Sequence, residues 1–219
     1  DARNQAYKAI VYGASGTGKS TSLRTARLPL LVHSFDPGGT KALEDMQRDG
    51  RAILNTTFEV DDPDRPQAFK AWDQEYDRLE GNGFFNHVGT YVIDSLTTWA
   101  QCAMFEILKR AGRPGGVPQQ NDWYPQMNLI ELACRKLLAL PCDVILIAHD
   151  AVDKDEQTGK IFRNILITGK LSKRLPILFD ELYYANAKDT SKGVEYTFMT
   201  KGNGSVEAKT RLGKDGKLE

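Results

Sequence analysis

The densest chemistry in the sequence lies in GASGTGKS, Gly13 to Ser20. A glycine, four residues, then Gly-Lys-Ser is the spacing of a phosphate-binding loop, and it falls between an apolar run and a helix-like stretch, as that mechanism demands. Glycines let backbone N–H groups turn inward around phosphate oxygens, and a helix starting near Gly18 would add its positive end. The motif predicts Lys19 on the β and γ phosphates of a nucleoside triphosphate and Ser20 on Mg²⁺. Gly13, Ala14, Ser15, Gly16, Thr17, Gly18, Lys19, Ser20 and Thr21 form the expected nucleotide-binding set. The apolar run YVIDS ends in Asp94, a second metal-orienting group; an Asp at a strand end is a weak sign alone and gains meaning beside the loop. A third feature is AKTRLG, Ala208 to Gly213. In an extended segment Lys209 and Arg211 project from one face, either as charges that protect a sheet edge or as cations aimed at an anion.

These groups need a scaffold that brings them together. Short runs rich in Val, Ile, Leu and Tyr alternate with helix-period stretches, which predicts an α/β fold with a mostly parallel sheet covered by helices. The expected strands are AYKAIVYG ending at Gly13, LPLLVHSFD ending at Asp36, HVGTYVIDS around Asp94 and DVILIAHD ending near His149. Each leads into a polar or glycine-rich loop, where ligand sites of such sheets collect. Helices are expected over 18–27, 67–80, from Asp94 through Arg110, and over 126–140, with Phe69, Trp72, Tyr76 and Leu79 on one core-facing stripe. GRPGGVPQQNDWYP is too rich in Gly and Pro to be helical. Beyond residue 180 the alternating segments ELYYANAK, VEYTFMTKG and SVEAKTRL predict an antiparallel extension of the sheet.

With 219 residues and 41% apolar content the chain suits a single domain, 1–219, with a substantial core. Lys plus Arg and Asp plus Glu are 29 each, so no global field attracts a polyanion, and any such site needs local clustering. The odd set Cys102, Cys134 and Cys142 lacks CxxC spacing, and no signal-like segment precedes the first strand, which points to a reducing, cytoplasmic location. No apolar run approaches the roughly 20 residues of a membrane helix, and three scattered histidines argue against a protein-built metal cage.

GASGTGKS, HSFDPGGT, YVIDS, VILIAHD and AKTRLG together resemble, in order, the nucleotide-site elements of the RecA-like ATPases over nearly the whole chain. The pattern is most similar to short phage RecA-core proteins of recombination and single-strand annealing; no large domain is expected before the core, which argues against a replicative helicase or a full-length RecA. The resemblance implies ATP and Mg²⁺ as cofactors and catalytic roles for Lys19, Asp36, Asp94, His149, Lys209 and Arg211. Gly38 occupies the place where relatives carry a water-activating glutamate, so Asp36 is the available substitute, or else a turn-former before Pro37. His149 stands where relatives sense the γ-phosphate, with a buried structural histidine as the alternative. Lys209 and Arg211 would reach a neighbouring subunit's nucleotide in a homo-oligomer, ring or filament.

The resemblance also implies two loops that hold single-stranded DNA, 110–127 and 151–169. The expected contacts are Arg110, Arg113 and Trp123 with Tyr124 in the first, and Lys160, Arg163, Lys170, Lys173 and Arg174 in and after the second. The plainer reading keeps these as solvated charges with Trp123 in the core. Three functions stay open: a DNA-stimulated recombination ATPase, a nucleotide-controlled assembly protein with little turnover, and a small-molecule kinase, for which no clear arginine lid is visible.

Overall fold

The apolar runs form parallel strands β1 (Lys8–Tyr12), β2 (Leu30–Ser34), β3 (Ala52–Asn55), β4 (Thr90–Asp94) and β5 (Asp143–Ala148). A computed structural model describes residues 6–154, 156–157 and 159–212. Two further strands, β6 (Asp150–Lys154) and β7 (Ile161–Ile165), make a separate antiparallel hairpin. The main sheet is completed by β8 (Glu181–Thr190) and β9 (Gly193–Met199), in the order β3-β2-β4-β5-β1-β8-β9. β8 runs parallel to β1, and β9 turns back along β8. Strands β1, β2 and β4 are buried throughout, which is why their sequences are unbroken apolar runs rather than alternating ones.

Register then gathers the chemistry at one edge. Tyr12 pairs with Ala148, Asp94 with Ile147 and Ser34 with Asp94, so the carboxyl ends of β1, β2, β4 and β5 finish level. Gly13, Asp36, Asp94 and His149 all emerge there, the usual ligand edge of an open α/β sheet. At Gly13 only a residue without Cβ fits, since an added Cβ would lie 2.4 Å from the Ala185 carbonyl oxygen.

Among the described residues six α-helices flank the sheet: α1 (Lys19–Ser22), α2 (Glu44–Arg48), α3 (Ala68–Gly81), α4 (Leu96–Arg110), α5 (Trp123–Leu138) and α6 (Leu171–Leu178). On α3, Phe69, Trp72, Tyr76 and Leu79 are all buried, as their spacing predicts. Trp72 packs edge-on against Trp99 and donates to the Tyr91 hydroxyl at 2.8 Å, which in turn lies 2.8 Å from His33 Nδ1. Burial holds the His33 imidazole down at about 4, so it stays a neutral core residue. Cys102, Cys134 and Cys142 are free and buried, with thiols pushed up by burial.

Several expectations change. The helix expected over 18–27 is one α-turn continued by a 3₁₀ turn, Leu23–Thr25. Ser22 and Thr25 bond back to the carbonyls of Lys19 and Ser22, competing with the helix ladder, and Pro29 disfavours helix at Leu28. The helix expected to begin at Gln126 begins at Trp123, because Pro125 falls in the first turn, where a missing N–H costs nothing. The second expected loop contains the β6–β7 hairpin. The strand expected over SVEAKTRL is reduced to two isolated bridges, Val206 to Arg163 and Lys209 to Leu182. Asn203 folds this segment by accepting from the Ser205 and Val206 amides, and Gly202 donates to Ala208. Gly213, the last residue of AKTRLG, lies outside the described residues.

Candidate nucleotide site and its surroundings

The loop after β1 curls so that Lys19 Nζ donates to the carbonyls of Gly13 at 2.8 Å and Ala14 at 2.7 Å. This ammonium is buried, and burial lowers it from its usual value against the pull of Asp94, Asp150 and Asp36. It is a cation held under the loop by weak neutral partners, ready to exchange them for phosphate oxygens. Because α1 spans only four residues, the anion site rests on the loop amides far more than on a helix dipole.

Ser20 Oγ donates to Asp94 Oδ2 at 2.7 Å. Burial pushes the Asp94 carboxyl up to about 6, opposed by the Ser20 hydrogen bond and aided by the nearby Asp36 charge. A hydroxyl and a desolvated carboxylate one hydrogen bond apart are hard oxygen donors, and they fit Mg²⁺, which takes one or two protein oxygens and completes its shell with phosphate and water. Asp94 also has only 4% of its surface exposed, so its charge in the metal-free chain lacks solvation that a cation would replace.

Asp36 and His149 face the same cavity of about 320 Å³, which is lined by the loop, Gly38, Gly39 and Asp94. His149 Nε2 lies 2.9 Å from Asp36 Oδ2. Asp36 Oδ1 accepts from the Ser95 hydroxyl at 3.0 Å and from the Thr98 hydroxyl. Burial works to raise the Asp36 carboxyl, yet the hydrogen bonds from His149, Thr98 and Ser95 outweigh it and hold the group below its usual range. The bond to Asp36 raises His149 above its usual value, against burial. Asp36 is thus a partnered carboxylate rather than a bare turn-former. Gly38 has φ +74°, a left-handed backbone in which a glutamate would be strained. Its N–H donates to Glu59 Oε2 at 3.2 Å.

Thr97 and Thr98, in the first turn of α4, had not been singled out from the sequence. Ser95 is the N-cap of α4, accepting from the Thr98 amide at 3.3 Å, so the signal available was a Ser-x-x-Thr start immediately after Asp94. Thr97 Oγ1 accepts from the His149 amide at 3.1 Å and donates to the Leu166 carbonyl at 2.9 Å; the Leu166 amide donates to the His149 carbonyl at 2.8 Å. The phosphate end of the site is therefore hydrogen-bonded to the segment that follows β7.

That segment leads to a second cavity of about 660 Å³, lined by Trp123, Tyr124, Met127, Thr168, Lys170 and Arg174 among others. Trp123 is 41% exposed and Tyr124 71% exposed, so neither ring is spent on the core. Of the expected DNA contacts the structure gathers Trp123, Lys170 and Arg174 here, although Arg174 is paired with Glu131 at 2.6 Å. Lys173 and Arg163 line a different hollow, with Lys173 on Asn164 and Glu207, and Arg163 on Asp150 at 2.7 Å. Lys160 stands over the Phe162 ring. Arg110 pairs with Glu106, and Arg113 clamps Asp122 through two bonds at the start of α5, an architectural role.

Lys209 lies level with the middle of β1, and Arg211 lies toward the start of β1, away from the loop. Lys209 exchanges both backbone bonds with Leu182, which pairs with Ile10, while Arg211 binds Asp180 at 2.6 Å and its amide donates to Glu181. Burial lowers Lys209, with Arg211 adding to the effect. Arg211 thus sits beside the start of β1, whereas the phosphate loop follows its end.

A family model described as the AAA domain matches residues 5–212. No curated protein matches the chain. Among solved structures, an ATPase from the type III secretion system of pathogenic bacteria is similar at TM-score 0.55 and 18% identity, covering 83% of this chain and 52% of that one. The chain thus spans about half the length of that relative. The flagellar accessory protein FlaH from Methanocaldococcus jannaschii aligns at TM-score 0.49 and 12% identity over 87% of this chain and 75% of its own. A KaiC-like protein from Pyrococcus horikoshii aligns at TM-score 0.44 and 10% identity, over 87% and 76%. The fold is that of the RecA-like P-loop NTPases: a mostly parallel sheet between helices, extended by antiparallel strands at its C-terminal edge.

Proposed function

Because the chain belongs to the AAA domain family, we propose that it is an ATPase that assembles with copies of itself and acts on single-stranded DNA in recombination or annealing. The observation that carries this reading is the hydrogen-bonded path from the phosphate cavity through His149, Thr97 and Leu166 to a cleft with exposed Trp123 and Tyr124 beside Lys170. Aromatic platforms next to cations hold unpaired bases and phosphates without reading sequence. In this reading Lys19 leaves the Gly13 and Ala14 carbonyls for the β and γ phosphates. Ser20 and Asp94 would hold Mg²⁺, which when bound neutralises charge on the phosphates. His149 holds a proton at Nε2 and reports an incoming γ-phosphate to Leu166 through Thr97.

Asp36 faces the phosphate cavity, but three hydrogen bonds make it a weak base. Turnover by one subunit is therefore slow. Lys209 and Arg211, the latter turned toward Asp180 at the start of β1, complete a neighbour's site in the assembly. The same weak base favours one second reading, in which ATP binding drives assembly and hydrolysis is incidental.

The test is ATP hydrolysis with and without single-stranded DNA at low and moderate salt. DNA should stimulate turnover, and binding should weaken steeply as salt rises. Absence of DNA binding at low salt with ATP and Mg²⁺ present would remove the DNA role, and ATP-dependent assembly without phosphate release would select the second reading.

A further inference from the structure

We propose that the β8–β9 hairpin forms the nucleoside subsite, with Tyr196 stacking on the base of a bound nucleotide; this rests on the phosphate loop being a nucleotide site. Two cavities flank the loop and share Gly16, Thr17, Gly18 and Thr21. The smaller one leads to Asp94, Asp36 and His149 and suits the γ-phosphate end. The larger, about 710 Å³, opens the other way between Arg24 and Thr25 after α1 and Tyr196 and Phe198 on β9. A triphosphate laid across the shared residues therefore delivers its sugar and base into the larger cavity.

The lining is what a base requires. Tyr196 and Phe198 line the cavity from one face of β9 and are 59% and 40% exposed, and Val194, outside the cavity, is exposed on the same face. Three large apolar side chains left open on one strand face call for a covering group. Phe198 is braced by stacking on Tyr183, with centroids 6.2 Å apart. The Tyr196 ring lies over the loop itself: a Cβ added at Gly18 would stand 3.2 Å from Tyr196 Cδ1. A base emerging past Gly18 meets this ring at once. Among the described residues no carboxylate lines the cavity, so the recognition proposed there is by stacking.

The experiment compares equilibrium binding of Mg·ATP and of inorganic tripolyphosphate to the full chain and to Tyr196→Ala and Tyr196→Phe. Loss of one stacking ring should weaken ATP about 10-fold in Tyr196→Ala, leave tripolyphosphate within about 2-fold, and spare Tyr196→Phe. Equal weakening of both ligands, or unchanged ATP affinity with an altered oligomer, would overturn the assignment, because Tyr196 would then shape the loop or cover a second copy. If the unaltered chain binds neither ligand, the phosphate-site reading itself fails. If it binds both and Tyr196→Ala changes nothing, only the nucleoside subsite fails. Tyr196 is exposed on an outer strand, and an unchanged Tm will verify that each variant folds.

Discussion

Asp94 concentrates the opposition between stability and function in one side chain. Burial lifts its carboxyl to about 6, so the metal-free folded chain binds a proton more tightly there than the unfolded chain does. The stability from this group is fully present below the ordinary carboxylate range and is lost as pH rises through about 6. Asp94→Asn should therefore raise the Tm of metal-free protein by roughly 5 °C at pH 7.5 and by little at pH 5, while reducing Mg²⁺-dependent hydrolysis at least about 100-fold. Thermal melts at the two pH values with chelator, set beside phosphate release, check both halves. A Tm that falls at pH 7.5 would mean that the Ser20 bond outweighs the buried charge. Asp36 behaves oppositely, since His149, Ser95 and Thr98 keep it ionised, and one cavity so holds two carboxylates of different basicity.

At the scale of elements, α5 and the start of α6 frame the aromatic cleft. Trp123→Ala should weaken single-stranded DNA binding about 10-fold at fixed salt, whereas Lys170→Ala should lower the slope of log affinity against log salt by about 1. Salt titrations of both variants distinguish a stacking loss from a phosphate-contact loss, and unchanged curves for both would move the nucleic-acid surface elsewhere. Elements with unbroken apolar cores, β1, β2, β4 and β5, were legible because burial on both faces forces that composition. β3 was not, since only Ala52 of its four residues is buried, and neither was the β6–β7 hairpin, whose charged strands lie mostly at the surface. Pro125 read as a breaker although it sits in a first turn, which concealed that Trp123 is helical. The loop and Ser20 could be read from spacing, and Asp94 from a strand end taken together with the loop, whereas the Thr97 and Thr98 contacts depend on how α4 leaves β4, which no local pattern encodes. Likewise, whether a cation is free or spoken for, as Arg113 is by Asp122, is decided by distant neighbours.

At the scale of the whole molecule, the separation of Arg211 from the phosphate loop makes assembly part of the proposed chemistry. Arg211→Ala should fold, bind ATP and lose most hydrolysis, because its ion pair with Asp180 is exposed and contributes at most about 1 kcal/mol to stability. Mixing it with Lys19→Ala subunits should restore part of the activity, since some interfaces then join an intact loop to an intact pair. No recovery in verified mixed oligomers would confine both cations to a structural role. No helix among the described residues is long and apolar enough to cross a membrane; the proposed assembly can be followed from the rims of the two cavities beside the phosphate loop. The three cysteines, packed away from solvent with unreactive thiols, leave the native surface silent to maleimides. A single reporter thiol introduced on either rim would accordingly be the first to take a dye, and its fluorescence would follow subunit encounter without background from the chain.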